Sequence, residues 1–287
     1  MNIKVCETNA LVSAEWYREH QDDPDLVLVE ISGMGSADVS AYDEGHIPGA
    51  LNWQWQAMLW DPVKRDFPTS EDFAERMASQ GIGDNTTVIL YGEDIQFGSY
   101  AWWVLRFCGH DRVRLLDGGR KAWLARGFAL EQVGNSPHTV ARYTPRQRRQ
   151  DMRILREDVL AHINSDGLII DARSPEEFEG KRLMPFGYDD HGAVRYGRIP
   201  GARHLYYLDI ADETKSFRSA TELRALFGNT AGDDDQIVVY CRLSHRASFL
   251  YFGLTQLLGF KNVKLYDGSW TEWGSLVGYP IENESGQ

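Results

Sequence analysis

The stretch IVVYCRLSHRASFLYFGLTQLLGF, residues 237–260, decides how the chain folds. Ile237 to Tyr240 is a short β-branched, apolar run, the pattern of a buried strand. Cys241 stands where that strand ends. Arg242, Leu243, Ser244, His245 and Arg246 read as a polar, cationic loop. FLYFGLTQLL, residues 249–258, then reads as a helix closed by Gly259. One thiol is thereby placed between a strand end and a helix start. Loop amides, the helix N-terminus, two arginines and a histidine all favour an anion there. The thiolate is the nucleophilic form of cysteine, so Cys241 is the candidate nucleophile. The competing reading is a buried structural cysteine beside a basic surface loop. Such cysteines ordinarily lie inside apolar elements, which favours the reactive reading.

The same stretch has an echo. TVILYGEDIQFGSYAWWVLRFCGH (87–110) repeats its strand, loop and helix, with Gly92 in the place of Cys241. Three further blocks recur in the same order: LVLVEIS (26–32) with LIIDARS (168–174), GHIPGAL (45–51) with GRIPGAR (197–203), and VRLLDGGRKAW (113–123) with VKLYDGSWTEW (263–273). An ordered repeat at a nearly constant spacing marks a duplicated unit. The second half gains roughly eleven residues between Asp171 and Gly197, within which lies MPFGYDDHGAVRY, 184–196. Each half reads as helix (Ala14 to His20; Glu157 to Ile163), strand, Gly-rich turn, helix (Ser70 to Gln80; Ala220 to Phe227), central strand and loop, long helix, last strand. Alternating strands and helices imply an α/β fold with a mostly parallel, helix-flanked sheet. Sites in such sheets lie at the carboxyl ends of strands, where Cys241 falls. The expected domains are 1–131 and 153–287, joined by a polar, basic linker over 132–152.

The bulk numbers fit this picture. A length of 287 residues suits two domains, and 43% hydrophobic with 25% charged residues suits a globular protein. A net charge of −12 argues against nucleic acid or an anionic membrane as the main partner, so a local basic pocket must draw any anionic substrate. No apolar run approaches transmembrane length, and MNIKVCETNALVS lacks the pattern of a signal peptide, so a cytoplasmic location is expected. Cys6, Cys108 and Cys241 suggest neither a disulfide framework nor a metal knuckle, and the histidines have no zinc-ligand spacing. No metal or cofactor is called for. Cys108 lies on an apolar helix and reads as core; Asp267 reads as a turn former with Gly268, and Trp270 and Trp273 as local packing.

Taken together, the Gly-x-Ile-Pro-Gly-Ala turns, the six residues Cys241 to Arg246 and the ending Tyr266-Asp267-Gly268-Ser269-Trp270 through Trp273 resemble the tandem-domain rhodanese sulfurtransferases. The resemblance spans nearly the whole chain. It implies two tandem rhodanese-like domains, each a small α/β unit, with an inert first domain and a persulfide-forming cysteine in the second. The first-half loop, with Gly92, Glu93 and Asp94, offers no nucleophile and no cation.

The implied activity is thiosulfate sulfurtransferase: Cys241 takes a sulfane sulfur from thiosulfate and passes it to cyanide or a thiol. The partners are then a small anionic sulfur donor and a small thiophilic acceptor. Arg242, Leu243, Ser244, His245 and Arg246 form the donor-binding loop, with Arg246 holding the donor's sulfonate or the loop itself. Arg173 matches a family position that binds anionic donors; it reads equally well as an ion-pair partner of Asp171 or Glu176. His191 and Arg195 of the insert read first as a solvated loop and second as a rim of the pocket. The loop departs from relatives: Ser244 stands where related bacterial loops carry Gly, and Leu243 where mammalian thiosulfate enzymes carry Lys. Three alternatives stay open: transfer from 3-mercaptopyruvate, whose enzymes resemble this chain with a Cys-Gly-Ser-Gly-Val-Thr loop; a non-enzymatic persulfide carrier or sensor; and a phosphatase. Related phosphatases have a loop one residue longer, which counts against the last.

Overall fold

The computed structural model describes residues 10–32, 41–92, 94–134, 139–185, 187–227, 231–232 and 234–284. The chain divides into two compact units. One runs to Arg149 and takes in Glu213–Phe217; the other comprises Gln150–Asp212 and the residues from Arg218 onward.

The first unit holds strands β1 (Leu11–Val12), β2 (Leu26–Ser32), β3 (Leu51–Gln54), β4 (Thr87–Gly92) and β5 (Val113–Leu116). They form one sheet in the order β1-β5-β4-β2-β3, every pair parallel. The second unit repeats this with β6 (Arg153–Ile154), β7 (Leu168–Asp171), β8 (Arg203–His204), β9 (Ile237–Tyr240) and β10 (Val263–Tyr266), in the order β6-β10-β9-β7-β8. The expected α/β architecture of two parallel, helix-flanked sheets is therefore the one observed. Each middle strand, β4 and β9, is covered on both faces, which is why Val88–Gly92 and Ile237–Tyr240 are buried throughout and read as unbroken apolar runs.

Helices follow the sequence signals closely. Ser13 caps Ala14–His20 by accepting from the Trp16 amide at 3.1 Å, and Thr69 caps Ser70–Ser79 in the same way through Asp72. The helix Ile95–Phe107 buries ten of its thirteen residues, Trp102 and Trp103 among them. Each such side chain contributes about 1.5–3 kcal/mol or more on burial.

The helix after Cys241 begins earlier than expected. It spans His245–Phe252 and continues as a π-helical turn over Gly253–Leu257, so His245 and Arg246 are helical residues and not loop residues. All eight residues of His245–Phe252 are buried. The polar pair at its start hid the helix from periodicity, because burial of charged side chains depends on distant partners that a local window does not contain. Between the two predicted units, the basic stretch lies against the first: the Ala141 amide donates to Ala78 O at 3.0 Å and the Arg149 amide to Phe107 O at 2.8 Å. Arg146 and Arg149 pair with Asp84 and Asp111, and Arg148 with Asp66. No helix among the described residues is long and apolar enough to cross a membrane.

Candidate active site

Cys241 is the first residue beyond β9, at the carboxyl end of the middle strand, and is 1% exposed. The Asp267-Gly268-Ser269-Trp270 turn fixes its backbone. The Cys241 amide donates to Ser269 Oγ at 3.2 Å, and its carbonyl accepts from the Trp270 amide at 2.9 Å. The Arg242 carbonyl accepts from Thr271 at 3.1 Å. Ser244 ends the loop in a left-handed conformation, φ 69°. Its hydroxyl donates to Asp267 O at 2.7 Å and leaves the helix N-terminus without a side-chain cap. The loop is only three residues long, so the sulfur lies in the field of that N-terminus, which favours an anion.

Ser269 is also left-handed, φ 54°. The corresponding residue of the first unit is Gly119, φ 51°, which adopts this conformation without strain. A serine there costs roughly 1–2 kcal/mol. Its hydroxyl accepts from Cys241 N and donates to Tyr266 O at 2.9 Å. The strain is kept where the Ser269 hydroxyl holds the Cys241 amide. The sequence reading passed over Ser269; the Gly-to-Ser exchange between the repeats was the signal that could have found it.

The cations around the sulfur are not equivalent. Arg246 is clasped by Glu177, Nη1 to Oε2 at 2.5 Å and Nη2 to Oε1 at 2.8 Å. Burial opposes the Arg246 charge, but Glu177 holds its pKa above the ordinary value. Burial likewise opposes the Glu177 carboxylate, and the Arg246 charge keeps its pKa below the ordinary value. Glu177 was not among the sequence candidates. Its signal was the spacing Ser174-Pro175-Glu176-Glu177: Ser174 and Glu177 form a capping box on the short helix Pro175–Phe178.

Arg173 is fully buried beneath the site. Its Nη2 donates to Asp171 Oδ2 at 2.7 Å and to Gly197 O at 2.7 Å, and its guanidinium stacks 4.6 Å from the Trp270 ring. Arg173 thus makes the ion pair with Asp171 named in the second of its two readings. Asp171 also accepts from the Tyr240 hydroxyl at 2.6 Å, and that oxygen accepts from the Ile199 amide at 3.2 Å. The first unit carries the same buried triad in Glu30, Tyr91 and the Ile47 amide, with Arg120 as the paired cation.

Arg242 differs from both. It is 9% exposed, and among the described residues no carboxylate pairs with it; Nη2 lies 3.1 Å from His191 Nε2. Burial and the neighbouring Arg246 charge lower its pKa, with Cys241 and Glu177 acting the other way. Among the described residues, Arg173 and Arg246 are each paired with a carboxylate, Asp171 and Glu177, and Arg242 carries a positive charge with no carboxylate pair. Leu243 is half-buried at the loop apex and His245 is buried at the helix start. Of the two insert residues, His191 reaches Arg242, whereas Arg195 is occupied by the carbonyls of Trp273, Gly274, Leu276 and Tyr279.

The equivalent place in the first unit is closed. A Cβ on Gly92 would stand 2.5 Å from Asp94 O, 2.7 Å from Phe97 Cβ and 2.8 Å from Gly98 N. Phe97 occupies the position of Arg246. Glu93 lies outside the described residues, as does Cys6. Cys108 is buried at the end of its helix, and burial pushes its thiol up to about 12. Among the described residues no group of three or more His, Cys, Asp or Glu side chains could hold a metal.

Two parallel five-stranded units, with a buried thiol and a guanidinium that has no carboxylate pair among the described residues at the carboxyl end of one middle strand, define a duplicated α/β protein. The chain belongs to the rhodanese-like family: the Rhodanese-like domain matches residues 13–126 and again 155–276. The chain is 43% identical over 280 residues to the "Sulfur carrier protein TtuD" of Thermus thermophilus, covering 94% of this chain and 95% of that protein. It is also 43% identical over 280 residues to the "Putative thiosulfate sulfurtransferase" of Mycobacterium tuberculosis, covering 97% and 99%. Among solved structures, wild-type EanB superposes with a TM-score of 0.82 at 24% identity, over 96% of this chain and 69% of that one. That likeness is one of fold.

Proposed function

We propose that this chain is a thiosulfate sulfurtransferase that works through a Cys241 persulfide. The observation that carries this reading is Cys241 itself: a buried thiol at a strand end, pinned by Ser269 and Trp270, with Arg242, which has no carboxylate pair among the described residues, beside it. The family and the names of its relatives support sulfur transfer.

In the first step the Cys241 thiolate attacks the outer sulfur of thiosulfate. The new Cys241–sulfur bond forms as the sulfur–sulfur bond of thiosulfate breaks, and sulfite leaves with the electron pair. The persulfide anion rests in the field of the helix N-terminus and the loop amides. In the second step cyanide or a thiolate attacks the outer sulfur, and the Cys241 thiolate is released. Donor and acceptor use the site in turn, so double-displacement kinetics follow. Arg242 draws the anionic donor; Arg246 and Arg173 shape the floor through their carboxylate pairs.

A second reading, a stoichiometric sulfur carrier, is favoured by the Thermus relative named for that role. Steady-state assay with thiosulfate and cyanide separates the two. An enzyme gives many turnovers and parallel double-reciprocal lines at varied acceptor; a carrier gives one sulfur per chain and stops. 3-Mercaptopyruvate in the same assay tests donor choice, with thiosulfate expected to give the higher kcat/KM.

A further inference from the structure

Residues 184–196 of the second unit lie in the stretch where its sequence runs roughly eleven residues longer than the first. The described residues of this segment are firmly built in. Arg195 donates to the carbonyls of Gly274 (3.2 Å), Tyr279 (2.7 Å), Trp273 (2.9 Å) and Leu276 (2.7 Å). Trp270, from the turn that pins Cys241, donates its indole N–H to Arg195 O at 3.0 Å. Asp190 accepts from the amides of Leu183 and Met184 at 3.2 and 3.3 Å. The segment is thus fixed to the same turn that fixes the nucleophile.

What it presents to the site is His191. Arginine has only donors, so His191 Nε2 must accept from Arg242 Nη2 at 3.1 Å. Asp189 O has only lone pairs, so His191 Nδ1 must donate to it at 2.8 Å. These two contacts together fix the ring as the neutral tautomer with its proton on Nδ1. Gly192 closes over the same guanidinium: a Cβ there would lie 2.8 Å from Arg242 Nη2. Arg242 Nε is buried and has no hydrogen-bond partner among the described residues. Held by a neutral acceptor, the guanidinium keeps its full charge and has one buried donor to spare. A carboxylate in place of His191 would cancel the charge, as Glu177 does for Arg246 and Asp171 for Arg173.

We propose that His191 is a positioning residue that sets the selectivity of the Cys241 site for anions, by fixing Arg242 without neutralising it. The inference rests on reading Cys241 as the nucleophile. The group it selects is a compact oxyanion on the incoming reagent, drawn by the Arg242 charge.

The test compares His191→Phe, which keeps the ring and loses the acceptor, with His191→Gln, which keeps an acceptor near Nε2. Cys241 alkylation by iodoacetate (anionic) and iodoacetamide (neutral), read by intact mass, reports the selectivity whatever the natural donor is. The iodoacetate-to-iodoacetamide rate ratio should fall roughly three- to tenfold in His191→Phe, the scale of one net hydrogen bond, and recover in His191→Gln. In steady state the KM for thiosulfate should rise by a similar factor while kcat changes less. An unchanged rate ratio, or equal loss with both reagents, would overturn the role of His191. Wild-type chain that alkylates selectively but never turns over thiosulfate would instead contradict the donor assignment and leave this inference standing.

Discussion

Arg246 and Glu177 meet as a buried two-pronged ion pair, 2.5 and 2.8 Å long, joining the helix after Cys241 to the short helix Pro175–Phe178. The pair holds the floor of the site, and its charge is spent internally. Removing one partner leaves the other as an uncompensated buried charge, which costs about 3–5 kcal/mol, whereas replacing both with apolar side chains is close to neutral. Arg246→Ala should therefore lose several kcal/mol in urea denaturation and at least tenfold in kcat/KM. The double substitution Arg246→Met with Glu177→Met should recover most of the stability. A stable Arg246→Ala that loses only donor affinity would show that Arg246 binds donor directly.

Ser269 makes a prediction in which two readouts separate. Ser269→Ala and Ser269→Gly both remove the hydroxyl that holds the Cys241 amide, so turnover should fall alike, about five- to tenfold. Only glycine relieves the left-handed backbone, so Ser269→Gly should be more stable than Ser269→Ala by about 1 kcal/mol. Thermal denaturation with initial rates checks both. Wild-type turnover in either variant would remove Ser269 from the site.

The first unit should take up no sulfur, for steric as well as chemical reasons. Gly92→Cys puts a thiol at the place equivalent to Cys241, but its Cβ meets Asp94 O and Phe97 Cβ well inside contact distance. The variant should lose about 2 kcal/mol or more and take up no sulfur at that residue. Asp94→Asn should leave turnover within about threefold, since single surface substitutions seldom matter far from a site. Sulfur mapped to position 92 would overturn this.

His110 supplies the pH prediction. It is fully buried, 3.1 Å from the Tyr143 hydroxyl, and burial followed by the Arg146 charge lowers its pKa from 6.5 to about 4. Between those values the unfolded chain binds a proton that the folded chain refuses. Stability should therefore fall as pH falls from 6.5 toward 4, by about 2 kcal/mol between pH 7 and pH 5. His110→Phe should flatten that part of the profile in urea denaturation followed by tryptophan fluorescence. An unchanged slope would assign the pH dependence to other groups.

Much of this was written locally. The apolar runs Leu168 to Ile170 and Ile237 to Tyr240, with their echoes, carry the parallel sheets, because buried strands announce themselves over a few residues. The same locality placed Cys241 at a strand end. What escaped were partnerships across the fold. Arg246 read as holding the donor's sulfonate or the loop itself because Glu177 lies 69 residues away, and its bond to that carboxylate exists only once β7 and β9 are side by side. Arg242 and His191 are 51 residues apart, and the insert had no repeat to be compared with. The helix start at His245 was masked for the same reason: its first residues are buried only through such pairs.

The most direct test of the account is the mass of the protein after thiosulfate treatment and desalting. Wild-type chain should gain one sulfur, about 32 Da, mapped to Cys241 by peptide digestion and discharged by cyanide as thiocyanate. Cys241→Ser should gain none, while Cys108 stays unmodified in both. An adduct that persists in Cys241→Ser, or a wild-type chain that thiosulfate leaves unchanged, would contradict it.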